Sequence, residues 1–160
     1  MPKFGKLVIG AALCAVLATT TVAYARVSRA QKDVATQRLA HMNLQAFQLG
    51  VLAQMMQGRQ PYDPELAVAA ADALASLAQQ DWTTYLLPGT SSSEIETSRA
   101  AASIWTNMDD FLARKQGFAE AADQMLAVAG DGLEALTSQM GAVTEACGQC
   151  HRDYRVIPAN

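Results

Sequence analysis

The sequence predicts an all-α fold, an antiparallel four-helix bundle, and three observations carry that prediction. The chain is rich in Ala, Leu, Gln and Met, and strict apolar–polar alternation is nowhere sustained over a strand's length. Three turn-forming clusters punctuate it: "GRQPYDPE" at 58–65, "LPGTSSSEIETS" at 87–98 and "AGDG" at 129–132. Between them, apolar residues recur at alternating steps of three and four. That mean period of 3.5 is what helices packed at shallow angles in a bundle require.

The elements follow in order. Lys3 and Lys6 precede an uncharged run from Leu7 to Ala25, and Ala23-Tyr24-Ala25 has the small-x-small form of a cleavage site. We expect a secretory leader over 1–25, cleaved after Ala25, and one helical domain over 26–160. A retained membrane anchor is the competing reading, weakened by Thr19, Thr20 and Thr21 at the far end of the run. Cleavage removes Cys14, two basic residues and no acidic one from a chain of net charge −3. The acidic remainder, with its Lys and Arg scattered, excludes a nucleic-acid binder.

The first helix carries a seam of Ala35, Leu39, Met42, Ala46, Leu49, Ala53 and Met56. Leu44, Phe47, Val51 and Met55 make it apolar on a second side, which suggests a homodimer through helices one and two. Asp63 is placed to cap the second helix, with Pro64 at its first position, and Leu66, Ala70, Ala73 and Leu77 form its seam. The Ser/Thr-rich stretch reads as a crossover loop. The third helix carries Ile104, Met108, Phe111, Phe118, Ala122, Met125 and Ala129, with Lys115 as its one polar intruder. Asp131 is placed to cap the fourth, whose seam is Leu133, Leu136, Met140, Val143, Cys147, Cys150 and Tyr154.

"EACGQCHRDYR" at 145–155 carries the chemistry. After cleavage Cys147 and Cys150 are the only thiols. A zinc site needs four ligands, and His41 is the only histidine besides His151. A thioredoxin-like dithiol belongs at a helix N-terminus after a strand, whereas this pair lies near the end of a helix. Cys-x-x-Cys-His is the pattern of covalent haem c attachment, in which thiols add to the porphyrin vinyl groups and the adjacent imidazole binds iron. Both cysteines fall on the core seam, so a group bonded to them points into the bundle.

With "CGQCHRDYR", "PYDPE", "LPGTSSS" and "SIWTNMDDF", the chain resembles the cytochrome c′ family of class II c-type cytochromes. The resemblance implies a four-helix bundle with one covalent haem c in its core, usually dimeric, in the periplasm. It implies thioethers at Cys147 and Cys150, His151 as axial iron ligand, and Arg155 on the proximal side. Arg38 matches a family arginine at a haem propionate, and Thr97 a polar crossover position nearby. Leu39 replaces the glutamine that often follows that arginine. Trp105 and Phe118 are expected to pack in the core.

Met42 matches the distal position over the iron. If it only blocks that face, iron is five-coordinate and high-spin, and NO or CO enters by displacing the side chain, with no hydrogen-bond donor there to hold water or anions. If its thioether ligates, the protein is a low-spin electron carrier of the cytochrome c-556 type. The crossover and "IWTNMDDF" resemble the high-spin branch. His41, about 100° round the helix from Met42, is expected at the surface, so no distal acid–base pair supports an enzyme. The redox partner protein is not legible.

Overall fold

The computed structural model describes the backbone of residues 7–157 and the side chains of residues 29–157. The expected leader therefore lies outside the described side chains, and its first six residues lie outside the described chain altogether. Among the described residues, no helix is long and apolar enough to cross a membrane.

Helix α1 spans Leu7–Met56, α2 Pro64–Gln79, α3 Ser103–Thr106, α4 Met108–Val128 and α5 Leu133–Tyr154. The long helices α1, α2, α4 and α5 make the bundle. Among the described residues there is no strand, only an isolated bridge between Ala100 and Arg155.

Helix α2 starts as its sequence dictates. The Asp63 carboxylate accepts from the backbone N–H groups of Glu65 (3.0 Å) and Leu66 (3.1 Å), and Pro64 opens the helix where its missing N–H costs nothing. Asp131 does not cap α5. Gly132 holds that position at φ 116°, and its carbonyl accepts from Leu136 N–H. Tyr62 pins this turn to the opposite hairpin: its hydroxyl donates to Ala129 O at 2.9 Å and accepts from Gly132 N–H at 3.0 Å.

The expected third helix is two. Asn107, at φ −131° and ψ 47°, breaks it between α3 and α4, and its carbonyl starts the new helix by accepting from Phe111 N–H at 3.0 Å. Asp109 and Asp110 then sit in the first turn of α4, where the helix dipole favours acids.

One core cluster closes one part of the bundle around Leu52, Met55, Leu74, Phe118, Met125, Leu136, Met140 and Val143. Each large aliphatic side chain fully buried there contributes about 1.5–3 kcal/mol. Met55, expected on an outer face, belongs to this core at 1% exposure. The α2 seam is rotated from the expected one: Ala70 is buried as expected, but Ala67, Ala71, Leu74 and Ala78 are buried with it, whereas Leu66 is exposed. These alanines let α2 approach its neighbours closely. A second cluster of Trp82, Ala100, Ile104, Phe111 and Tyr154 packs the segments after α2 and before α4 against the end of α5.

Candidate functional site

Between these clusters lies a cavity of about 430 Å³, within the size range of small-ligand and cofactor pockets. Helix α5 gives it Cys147, Cys150, His151 and Tyr154, with Arg155 just beyond. From α1 come Arg38, Leu39, Met42, Gln45 and Leu49. The expected α1 seam residues Leu39, Met42, Ala46 and Leu49 line this cavity, while the fully buried row one residue away holds Arg38, His41, Gln45 and Leu52.

Both thiols are half-buried on the inner side of α5. Burial pushes both up, Cys150 to about 11, so at neutral pH they are thiols. A redox-active dithiol needs the opposite, a depressed thiolate. His151 is held below the ordinary histidine value by burial and by nearby Arg155, so its imidazole is neutral at neutral pH, the form that binds a metal.

Arg38 is buried at 6% exposure and has no carboxylate partner among the described residues. Its Nη1 donates to Tyr85 O (2.8 Å) and Thr90 Oγ1 (3.0 Å), and its Nη2 to Thr90 O (2.6 Å) and Ser98 Oγ (3.0 Å). The guanidinium also lies 5.6 Å from the ring centre of Trp105, whose indole N–H donates to Leu86 O. Burial lowers the Arg38 pKa from its usual value. Thr97 does not join this group. It is exposed and lies outside the cavity lining, and the crossover hydroxyls facing Arg38 belong to Thr90 and Ser98. In an irregular loop, side-chain facing follows the turn geometry, here Ile95–Ser98, and not a register countable from the sequence.

His41 is buried at 3% exposure, contrary to the surface position expected of it. Its ring packs at 5.4 Å from Trp82 and 5.3 Å from Tyr85, and Gln45 Nε2 lies 3.0 Å from its Nε2. The segment after α2 supplies that aromatic cover, which no helical periodicity could place. Trp82 is a cavity residue that the sequence reading passed over. It is 5% exposed, and its indole N–H is buried without a hydrogen-bond partner among the described residues.

The α5 wall is braced from α4. Arg114 pairs with Asp110 (2.8 Å) and Asp153 (2.6 Å), and its Nη1 donates to Gln149 O, a carbonyl between the two cysteines, at 2.6 Å. The Tyr154 hydroxyl donates to Asp110 at 2.5 Å. That bond comes first in holding the Asp110 carboxyl down, and it pushes the phenol up to about 12.

The lining fits a haem. Its walls are mainly apolar, and its charged members are Arg38, Arg99, Arg114, Lys115 and Arg155, with no Asp or Glu. That set suits a flat apolar body with anionic edges, and the orphaned Trp82 N–H asks for an acceptor. Cys147, Cys150 and His151 supply two thiols and an imidazole on one wall.

The family model described as Cytochrome C′ matches residues 33–155. A cytochrome c′ of Cereibacter sphaeroides is 35% identical over 125 residues, 78% of this chain and 84% of that protein. Other relatives are named cytochrome c-554 and cytochrome c-556. The solved cytochrome c′ of Rhodobacter sphaeroides superposes with a TM-score of 0.78 at 34% identity, covering 80% of this chain and 98% of that one. A nitric oxide complex of a mutant cytochrome c′ from Alcaligenes xylosoxidans superposes with a TM-score of 0.70 at 26% identity, over 80% of this chain and 97% of that one. With both the fold and the match spanning most of its length, this chain belongs to the cytochrome c′ family of class II c-type cytochromes, whose members carry covalent haem.

Proposed function

We propose that this chain is an exported, periplasmic cytochrome in which Cys147 and Cys150 hold the haem by thioethers and His151 binds its iron. The carrying observation is that these three side chains line one apolar cavity with the buried, carboxylate-free Arg38. Haem bound there supplies a one-electron iron couple and, where the sixth position is open, a site for a diatomic gas. Tyr85 O, Thr90 and Ser98 fix Arg38, which would take a carboxylate of the porphyrin. Arg114 and Tyr154 hold the attachment turn against α4. Arg155 lines the cavity with His151, which would put it beside the iron-binding imidazole.

We read the iron as five-coordinate, with NO and CO as its gases and single electrons passed to a partner protein. The nitric oxide complex of the mutant Alcaligenes xylosoxidans relative supports the nitric oxide part of this reading. The second reading, Met42 as sixth ligand in a low-spin carrier, draws on Met42 lining the cavity and on the relatives named cytochrome c-556. Ferric and ferrous optical spectra of the exported protein decide between them. High-spin bands support the first reading, and a methionine–iron charge-transfer band or sharp low-spin α/β bands defeat it.

Leu44 and Phe47, exposed at 53% and 66%, support a homodimer through α1 and α2, with Leu66 and Val68 exposed on α2. Sedimentation of Phe47→Glu against the parent tests it. A parent that stays monomeric at high micromolar concentration discards the dimer.

A further inference from the structure

We propose that Arg114 is a positioning residue for the iron: it fixes the rotation of α5 about its axis, and so the direction in which His151 presents its imidazole. The proposal rests on the haem-binding reading above and deepens it. His151 lies in the last turn of α5, which ends at Tyr154. In a last turn the carbonyls lack intrahelical donors, so the turn frays unless neighbours hold it. Outside donors hold this one: Ser103 Oγ–H bonds Asp153 O at 2.8 Å, and Ala101 N–H bonds Tyr154 O at 3.0 Å.

Those bonds secure the end of the turn, and Arg114 secures its flank. Its Nη1 lies 2.6 Å from Gln149 O and 2.6 Å from the Asp153 carboxylate, two residues before and two after His151. Both residues lie about 200° round the helix from His151, on the opposite side, whereas Cys147 lies about 40° from it. The guanidinium also sits 5.4 Å from the ring centre of Tyr154. Arg114 is itself anchored to α4, because its Nε pairs with Asp110 at 2.8 Å one turn back. Asp110 in turn accepts from the Tyr154 hydroxyl.

Thioethers at Cys147 and Cys150 would tether α5 along its inner seam. Tethers on one line keep a helix from leaving but let it rock about that line. A contact on the opposite flank removes that freedom. A planar guanidinium that touches positions i and i+4 of α5 while pairing with α4 supplies such a contact.

The test is resonance Raman spectroscopy of the iron–histidine vibration in the haem-loaded, full-length ferrous protein. It is recorded just after photolysis of the carbon monoxide complex, so that iron is five-coordinate under either reading of Met42. Amide hydrogen exchange at Arg155, whose N–H bonds His151 O at 3.2 Å, is measured alongside. Arg114→Met removes a positive charge and Asp153→Asn a negative one, yet both loosen the clamp. A through-space charge effect moves the vibration in opposite directions in the two variants, whereas lost positioning lowers and broadens it in both. The second pattern is expected, with exchange roughly tenfold faster in Arg114→Met and about threefold faster in Asp153→Asn. Arg114→Lys, which keeps a donor on that flank, should recover about half of the shift. Opposite shifts, or an unchanged vibration in both variants, overturn the proposal while leaving the haem assignment standing. Faster exchange without a spectral change overturns it too, because Arg114 is then only a brace. Arg114→Gln replaces Arg114→Met should the latter not fold. A parent that is colourless, or shows no iron–histidine vibration, defeats the haem-ligation reading and this proposal with it.

Discussion

Replacing Arg38 by methionine tests the claim that one buried guanidinium ties α1 to the crossover loop. Four hydrogen bonds are lost together, to Tyr85 O, Thr90 Oγ1, Thr90 O and Ser98 Oγ. Their acceptors are not all abandoned. Ser98 Oγ still donates to Thr90 O at 2.8 Å, and Thr90 Oγ1 to Leu87 O at 2.7 Å. Tyr85 O loses the side-chain donor that the structure gives it. Charge-assisted bonds to neutral acceptors are worth about 1.5–3 kcal/mol each in isolation, but removing the guanidinium also returns the cost of having buried it. We expect a net loss of about 2–3 kcal/mol. In urea unfolding of the haem-loaded protein, followed by far-ultraviolet circular dichroism, the midpoint should fall by roughly 1 M. Ser98→Ala should cost less, because Arg38 keeps Tyr85 O and Thr90 as acceptors. A loss below about 0.5 kcal/mol for Arg38→Met would refute the reasoning, since that is the scale of an ordinary surface substitution.

Met42→Ala should change the optical spectrum or the carbon monoxide affinity, because Met42 lines the cavity; identical spectra and affinity would remove Met42 from the site. Gly89→Ala should destabilise by about 1 kcal/mol or more, since Gly89 sits at φ 77° and its new methyl would meet Gln31 Nε2, which bonds Pro88 O; an unchanged urea midpoint would contradict this. The Asp110–Tyr154 bond sets two limbs of a pH profile. Asp110 titrates below its ordinary 3.8, so its contribution is present above that pH and lost as acid is added. Tyr154 rises from 10.0 to about 12, so its contribution is whole below pH 10 and lost through that window. Asp110→Asn should flatten both limbs in urea midpoints measured across pH, and two unaltered limbs would dismiss the bond.

The sequence alone determined the helical class, the helical seam from Ala35 to Met56, the helices α2 and α5, the cap at Asp63 and the inward face of Cys147 and Cys150. These follow from chemistry repeated along one chain: a period of 3.5 residues, a carboxylate before a proline, a thiol pair on an apolar seam. Only the tertiary structure decided that His41 is buried, that Ser98 and Thr90 rather than Thr97 hold Arg38, and that Trp82 belongs to the cavity. Each of those facts depends on where the irregular segment 80–102 folds back over α1. An irregular loop has no period from which facing could be counted. The α2 seam was misplaced for a related reason: five alanines among its buried positions make neighbouring faces of that helix nearly equal in hydrophobicity, so packing against α1 and α4 chose between them. The break at Asn107 likewise needed the whole fold, because a helix-compatible sequence is interrupted there where α3 packs against α4 and the end of α5.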